Sequence, residues 1–529
     1  MIGASSAFFR LMKTGLTLAR EGVFSIVEPP ADLPLAPRLA ISLLRLLERR
    51  GVSARNKGER LSAALNKLGP SYVKMGQFLA TRPDLIGKEL AEALTSLQDR
   101  VPAFDMAAAR KAIRDALGKD VEELFDSFSE PVAAASIAQV HKASFIDSQG
   151  QVRLVAVKIL RPKIAQRFHD DLASFYLAAR LIEAIHVPSR RLKPVGVVDT
   201  LAQSIRLEMD FRLEAAALSE MGENCTTDED FRVPTVYWEK SAKSVMTMEW
   251  IDGIKLTDIE ALRASGHDLS ALGRCVIQTF LNHALRDGFF HADMHPGNLF
   301  LGTDGKLIAV DFGIMGRLGL KEQRFLAEIL YGFIVRDYRR VSQIHFEAGY
   351  VPSTQDVDTF AQALRSIGEP IHGRASSEIS MAGILSQLFE FTEVFGMATR
   401  TELILLQKTM VVAEGVARML DPELNLWNTS EPVVKAWMEK NLGPLAKAKE
   451  VAGGLTSLAT LSAQLPEMAR RAERLSESFD TMGRDGLRLD AETVEAIGKV
   501  EARGNRSGRL VLWVIAIALC AIAIKIWSY

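Results

Sequence analysis

The chain has 529 residues, 48% of them hydrophobic and 24% charged, enough to bury a substantial core and to hold more than one structural unit. Its formal net charge of −1 supplies no basic face to neutralise phosphates, which sets nucleic acid aside as a partner. Cys225, Cys275 and Cys520 are too widely separated for a disulfide framework or a structural zinc site, so a reduced, cytosol-facing domain is expected.

Residues 1–120 carry mostly helical patterns, among them Leu90, Leu94 and Leu97 at i, i+4, i+7. The first twenty residues are amphipathic and basic without a secretory signal's continuous apolar stretch. They fit a surface helix better than a mitochondrial presequence. From about 121 to 160 the texture turns to short β-rich runs, of which Val155-Ala-Val-Lys158 is the clearest. Helical periodicity returns over 165–220. Pro234–Trp238 and Ser244–Glu249 then read as two strands leading through Gly253 into sequence that stays helical almost to its end. The expected divisions are a helical extension (1–120), a smaller lobe with inserted helices (121–255), a helical larger lobe (256–440), a helical linker (441–508) and an apolar anchor (509–529).

That anchor rests on Leu510–Ile524, which contains no polar or charged side chain. As a helix, residues 510–527 would reach ~27 Å against a hydrocarbon thickness of ~30 Å. Lys525 can snorkel outward, and Trp513 and Trp527 sit near the ends. Arg503, Arg506 and Arg509 precede the run, so a single transmembrane helix with the rest of the chain on the cytoplasmic side is expected.

The most specific short segment is His291-Ala-Asp293-Met-His295-Pro-Gly-Asn298, followed by Asp311-Phe-Gly313. An Asp and an Asn five apart, with a second Asp thirteen further on, match the catalytic loop and metal-binding aspartate of phosphoryl-transfer enzymes. Mg²⁺ takes hard oxygen ligands, one or two from side chains and the rest from phosphates and water. Asn298 and Asp311 are therefore the expected ligands, and Asp293 is placed to orient or deprotonate an attacking hydroxyl or water. His291 and His295 at i, i+4 suggest a zinc pair on a helix, but Pro296 and Gly297 argue against that helix. A structured loop supported by the two histidines is expected instead.

Upstream, Lys158 ends a strand in the manner of a lysine that contacts the α- and β-phosphates of ATP. Ala133-Ala134-Ala135-Ser136-Ile137-Ala138-Gln139-Val140 stands where a glycine-rich phosphate loop belongs. Alanine restricts positive φ and close backbone approach, so this loop is expected to hold nucleotide differently. Glu208, Asp210 and Glu214 form an acidic set in a helical region. One of them is a candidate ion-pair partner for Lys158, against the ordinary alternative of a solvated face.

Together with Lys74-Met-Gly76-Gln77, Arg82-Pro-Asp84 and Leu97-Gln-Asp-Arg-Val-Pro102, these residues resemble the UbiB family of ADCK-type atypical kinases over roughly residues 60–330. The resemblance implies an α+β, atypical protein-kinase-like bilobal fold with a helical N-terminal extension. It implies that Lys74 pairs with Glu208, that Gln77 lies near the nucleotide, and that Glu214 pairs with Lys158. The alanine loop is a family feature that restrains protein-kinase-like phosphorylation. Ala217 departs from the asparagine of many relatives, which puts one local polar contact in doubt. The resemblance further implies a Mg²⁺-dependent ATPase or small-molecule kinase at the bacterial inner membrane, supporting ubiquinone biosynthesis. Its expected partners are membrane lipid, quinone-precursor lipids and other proteins of that pathway. A nucleotide-dependent switch or scaffold is the second reading; a protein kinase, for which no Ala-Pro-Glu motif follows Asp311, is the third.

Overall fold

The computed structural model describes residues 2–26, 35–49, 52, 56–80, 86–95, 102–185, 190, 192–372, 391, 394–397 and 401–443. The chain divides into two units, Met1–Glu439 and Lys440–Tyr529, and apart from the end of the last described helix the account below concerns the first. Arg82–Asp84, residues 97–101, the linker from residue 444 and the apolar run 509–529 lie outside the described residues. Among the described residues no helix is long and apolar enough to cross a membrane.

Local sequence sets the helices. Asn56 caps Lys57–Leu68, accepting from the Glu59 amide while the Glu59 carboxylate takes the Asn56 amide. Gly69 then separates that helix from Pro70–Ala80, which carries Lys74 and Gln77. Leu65, Tyr72 and Val73 of this pair pack against Phe168 and Phe175 of the long helix Ile164–Ile185 and Ile205 of helix Pro194–Glu208. The extension is thus fixed to the helices inserted in the smaller lobe.

The first sheet contains β1 (Ser127–Ala134), β2 (Ala138–Ile146) and β3 (Val152–Leu160). After the inserted helices come β4 (Phe231–Arg232), β5 (Val245–Glu249) and β6 (Gly253–Lys255), and then β7 (Phe289–His291), β8 (Leu299–Gly302), β9 (Leu307–Ala309) and β10 (Met315–Arg317). The order in the first sheet is β1-β2-β3-β5, all antiparallel; the second is β4-β9-β8-β6, and β7 pairs with β10. The chain therefore passes from the first sheet into β4, back to β5, and out again to β6. Alternation along β3 sorts its side chains. Val155, Val157 and Ile159 face Ile113, Leu124 and Phe125, whereas Ala156 joins Ala138, Met246 and Met248 on the opposite side. Lys158 shares that second face.

One expected strand is not formed. Pro234–Trp238 runs beside β5 with a single bridge, Val236 to Met248, and turns off in the short 3₁₀ segment Trp238–Lys240. Pro234 has no N–H to give a ladder, which shortens the pairing.

The larger core holds Phe280, Phe290, Leu299, Leu307 and Phe312, closed from behind by Leu406, Met410 and Ala413 of helix Thr401–Leu420. Phe280 and Phe290 meet edge to face at 5.7 Å. Truncating either fully buried ring to alanine costs ~3–5 kcal/mol. Gly288, at φ 62°, gives the chain its turn into β7; a side chain there would collide with the Leu318 carbonyl and Gln323.

Candidate active site

The site lies where the lysine face of the first sheet meets the loops between β7 and β10. Lys158 is fixed by register, opposite Val140 on β2 and Met246 on β5. Its Nζ donates to Glu214 Oε1 at 2.6 Å and lies 3.8 Å from Asp311 Oδ2. The Phe211 ring sits 5.3 Å from the ammonium. Burial alone would lower the Lys158 pKa, but Asp311 and Glu214 outweigh it and hold the pKa above the usual lysine value. Burial pushes the Glu214 carboxyl up, with Lys158 pulling it back. The Lys158 charge holds Asp311 below the usual carboxylate range against the cost of its own burial. The Asp311 side chain nonetheless keeps 47% of its surface, so one carboxylate oxygen can meet a ligand.

The three acids around residue 210 occupy a helix break, not one helix. Glu208 ends Pro194–Glu208, Asp210 caps Phe211–Asn224, and Glu214 stands in that second helix's first turn. The Asp210 carboxylate accepts from the Arg212 amide and guanidinium, and so serves the cap and not the site. Glu208 reaches Lys74 with a separation of 2.6 Å and also accepts from Ser204 Oγ. Two lysine–glutamate pairs thus flank the break, and the Lys74 charge also lowers Asp311, more weakly than Lys158 does. Gln77 lies half-buried on the same helix as Lys74.

Asp293 and Asn298 are joined directly. Asn298 Nδ2 donates to the Asp293 carbonyl at 3.2 Å and to its Oδ2 at 3.1 Å, which leaves the amide oxygen as the ligand atom. The Val310 amide donates to the Asn298 carbonyl, and the hairpin of β8 and β9 returns the chain to Asp311, whose Oδ1 accepts from the Gly313 amide at 3.0 Å. His291 ends β7. Its Nδ1 accepts from the Asp293 amide at 3.1 Å, so the proton of the neutral ring sits on the buried Nε2. Burial lowers the His291 pKa although Asp293 and Asp311 pull it upward. His295 Nδ1 accepts from the Gly297 amide at the start of the 3₁₀ turn Pro296–Asn298. Both histidines therefore shape a loop, and no helix presents them as a pair.

Among the described residues no three His, Cys, Asp or Glu side chains gather as a metal cluster. The oxygens at hand are the Asn298 amide oxygen and the exposed Asp311 carboxylate. Two hard ligands suit Mg²⁺ that completes its octahedron with phosphate oxygens and water, and do not suit a protein-caged metal.

The alanine segment forms the β1–β2 hairpin. Ala133 and Ala134 end β1 opposite Val140 and Gln139, and Ala135, Ser136 and Ile137 make the turn. The Ala135 amide donates to the Ala138 carbonyl at 2.8 Å, and Arg161 Nε donates to the Ala135 carbonyl at 2.9 Å. Ala138 and Val140 share the lysine face. Gln139 points the other way, accepting from the Phe104 amide and donating to its carbonyl and to buried His141. It does not belong to the nucleotide side of the hairpin.

Sequence reading missed several neighbours. Ala156, Met246 and Met248 complete the apolar wall beside Lys158. Once Lys158 is assigned, period-two alternation points to Ala156, but the methionines require the cross-strand register. Thr409, buried on helix Thr401–Leu420, places its hydroxyl 3.2 Å from the Ala292 carbonyl, just before Asp293. Nothing in the local sequence marks that contact across 117 residues.

The chain is similar to known proteins over most of its length. Residues 96–345 match the ABC1 atypical kinase-like domain and residues 364–425 the UbiB helical domain. A protein of Marinobacter nauticus named "Probable protein kinase UbiB" is 41% identical over 422 residues, covering 79% of this chain and 76% of that one. One of the same name from Aeromonas salmonicida is 38% identical over 487 residues, covering 90% and 88%. A Mycobacterium tuberculosis protein solved in complex with erythromycin is 25% identical, with a TM-score of 0.46 over 75% of this chain and 98% of that one. The chain belongs to the UbiB family, with a mixed α+β, kinase-like bilobal fold in which the atypical kinase-like domain is followed by the UbiB helical domain.

Proposed function

We propose that the protein is an ATP-dependent, Mg²⁺-requiring enzyme that works beside the inner membrane in support of ubiquinone biosynthesis. On this reading it couples ATP hydrolysis to the access or delivery of lipid quinone precursors. The observation that carries the reading is the contiguous set Glu214, Lys158, Asp311, with Asn298 bonded to Asp293. Lys158 receives the α- and β-phosphates, Asn298 and Asp311 hold Mg²⁺ when it is bound with nucleotide, and Asp293 orients the attacking hydroxyl or water and takes its proton. Mg²⁺ supplies charge neutralisation at the phosphates. With water as acceptor the products are ADP and phosphate.

The helix of Lys74 and Gln77 is held beside the site through the Lys74–Glu208 pair, which supports a small or lipid-like acceptor over an extended peptide. The apolar run Leu510–Ile524 supports attachment to the bilayer. Phosphate release is to be measured from the full chain in vesicles with Mg-ATP, with and without a phenolic quinone-precursor analogue, against Asp293→Asn. Release that depends on Asp293 and rises with the phenol supports the reading. Nucleotide binding without turnover above the variant moves a nucleotide-dependent switch, organising membrane enzymes, to first place.

A further inference from the structure

The segment that follows Asp311-Phe-Gly313 is bound to the catalytic loop by its backbone. β10 pairs with β7 through Met315 opposite His291, Gly316 opposite Phe290 and Arg317 opposite Phe289. The pairing continues at both ends: the Ala292 amide donates to the Ile314 carbonyl at 3.0 Å, and the Leu318 amide to the Gly288 carbonyl at 2.8 Å. Gly316 lets the strand lie flat on the buried Phe290 ring, with which a side chain would collide.

From this strand Arg317 reaches across to helix Phe211–Asn224, which carries Glu214. Its two terminal nitrogens meet the two oxygens of Glu220, Nη1 to Oε1 at 2.8 Å, and its guanidinium sits 4.3 Å from the centre of the Phe289 ring. A fork-to-fork pair of this kind fixes direction as well as distance. The helix is held again at its end, where Arg286 Nη2 donates to the Asn224 carbonyl at 3.2 Å and the same guanidinium pairs with Asp228. Arg286 lies just before β7 and Arg317 just opposite its start, so both arginines tie the helix to the strand that leads into Asp293. At the other end of the helix, Glu214 accepts from the Phe312 amide as well as from Lys158.

The segment offers no side chain that phosphorylation could charge. Residues 311–320 read Asp-Phe-Gly-Ile-Met-Gly-Arg-Leu-Gly-Leu, without serine, threonine or tyrosine, and the next hydroxyl is that of Tyr331. In protein kinases, phosphorylation of this segment and the seating of the glutamate helix control whether the lysine–glutamate pair is in place. Here the anion is on the helix and the cation on the segment, and both are permanent.

We propose that Arg317 is a positioning residue: through Glu220 it clamps the Glu214 helix to the catalytic strand, so that the Lys158–Glu214 pair stays assembled without phosphorylation. The consequence for nucleotide binding rests on the function proposed above; the clamp itself stands apart from it.

Arg317 keeps 66% of its side-chain surface and Glu220 39%, so replacing them leaves the core intact. In the full chain, hydrogen exchange of residues 211–224 is expected to quicken severalfold in Arg317→Gln and not in Arg339→Gln, which breaks an exposed pair with Asp358 elsewhere. Binding of a fluorescent Mg-ATP analogue is expected to weaken about two- to fivefold in Arg317→Gln. In a Glu214→Gln background the same change is expected to add nothing, because Arg317 acts through Glu214. Arg317→Glu is expected to weaken binding as well, and adding Glu220→Arg to restore both affinity and exchange. Unchanged exchange or unchanged affinity in Arg317→Gln overturns the proposal. So does an equal loss of affinity in both backgrounds, which marks a general effect of packing, and so does a charge reversal that restores nothing. Quickened exchange in Arg317→Gln with no nucleotide bound by the wild type would refute the reading of the site and leave the clamp standing.

Discussion

Replacing Glu214 by glutamine tests the centre of the site with almost no change of shape. Glu214 keeps only 8% of its side-chain surface and Lys158 15%, so the 2.6 Å pair is largely removed from water. Deleting one charge of a buried pair costs ~3–5 kcal/mol, chiefly by stranding the other. Lys158 is not wholly stranded, because Asp311 lies 3.8 Å away on the more exposed side and the glutamine oxygen still accepts. That second partner reduces the expected loss to ~1–3 kcal/mol. Urea unfolding of the full chain, followed by tryptophan fluorescence, measures it, and binding of a fluorescent Mg-ATP analogue is expected to weaken in parallel. The double change Lys158→Met with Glu214→Leu removes both charges; it is expected to recover most of the stability while binding no nucleotide. Because Asp311 and Glu214 raise the Lys158 pKa, the pair's contribution is complete below the ordinary lysine value and disappears only as pH rises through the raised one. Stability and nucleotide affinity both unchanged in Glu214→Gln would refute the pairing.

Asp311→Asn is expected to abolish Mg-nucleotide turnover with the unfolding midpoint little altered, and unchanged phosphate release removes Asp311 from the metal site. Ala135→Gly is expected to cost ~0.4–1 kcal/mol through the unfolded chain and to shift the ratio of ATP to ADP affinity; equal affinities before and after, measured by calorimetry, count against a restraining hairpin. His345 is buried against Tyr350 and Phe360, and burial lowers its pKa to about 4. Its contribution is complete above its unfolded pKa of ~6.5 and is lost as pH falls toward 4, which predicts ~2 kcal/mol less stability at pH 5 than at pH 7 from this group. Urea titrations at the two pH values in wild type and His345→Gln measure the difference between their pH responses. Thr409→Val is expected to lower kcat more than it raises KM, with Thr409→Ser restoring the rate; a lost rate that serine does not restore would assign Thr409 to packing alone.

What the sequence disclosed and what it hid divide along the range of the interactions. The Asp293 to Asn298 spacing is local, and a tight turn carrying Pro296 and Gly297 brings those side chains within hydrogen-bond distance wherever the rest of the chain goes. Strand β3 was legible for the same reason, since a β-branched run needs little context to declare an extended backbone. The acids at 208, 210 and 214 were legible as a set, but their division was not. Only the break at Met209 separates a latch for Lys74, a cap for the next helix and a partner for Lys158. Gln139 looked equivalent to its neighbours until the pairing of β2 with β3 set Val140 beside Lys158, which turns Gln139 to the opposite face by the period of two. Thr409 was invisible because its partner is a backbone carbonyl, which has no sequence signature. The same logic bears on how the site is held. Thr409 supports the loop of Asp293 from the UbiB helical domain, while Glu208 ties the Lys74 helix to the end of Pro194–Glu208, next to the helix of Glu214. Both supports come from elements outside the strands and loops that carry Lys158, Asp293 and Asp311, so a change in the seating of either element reaches the chemistry without touching a ligand.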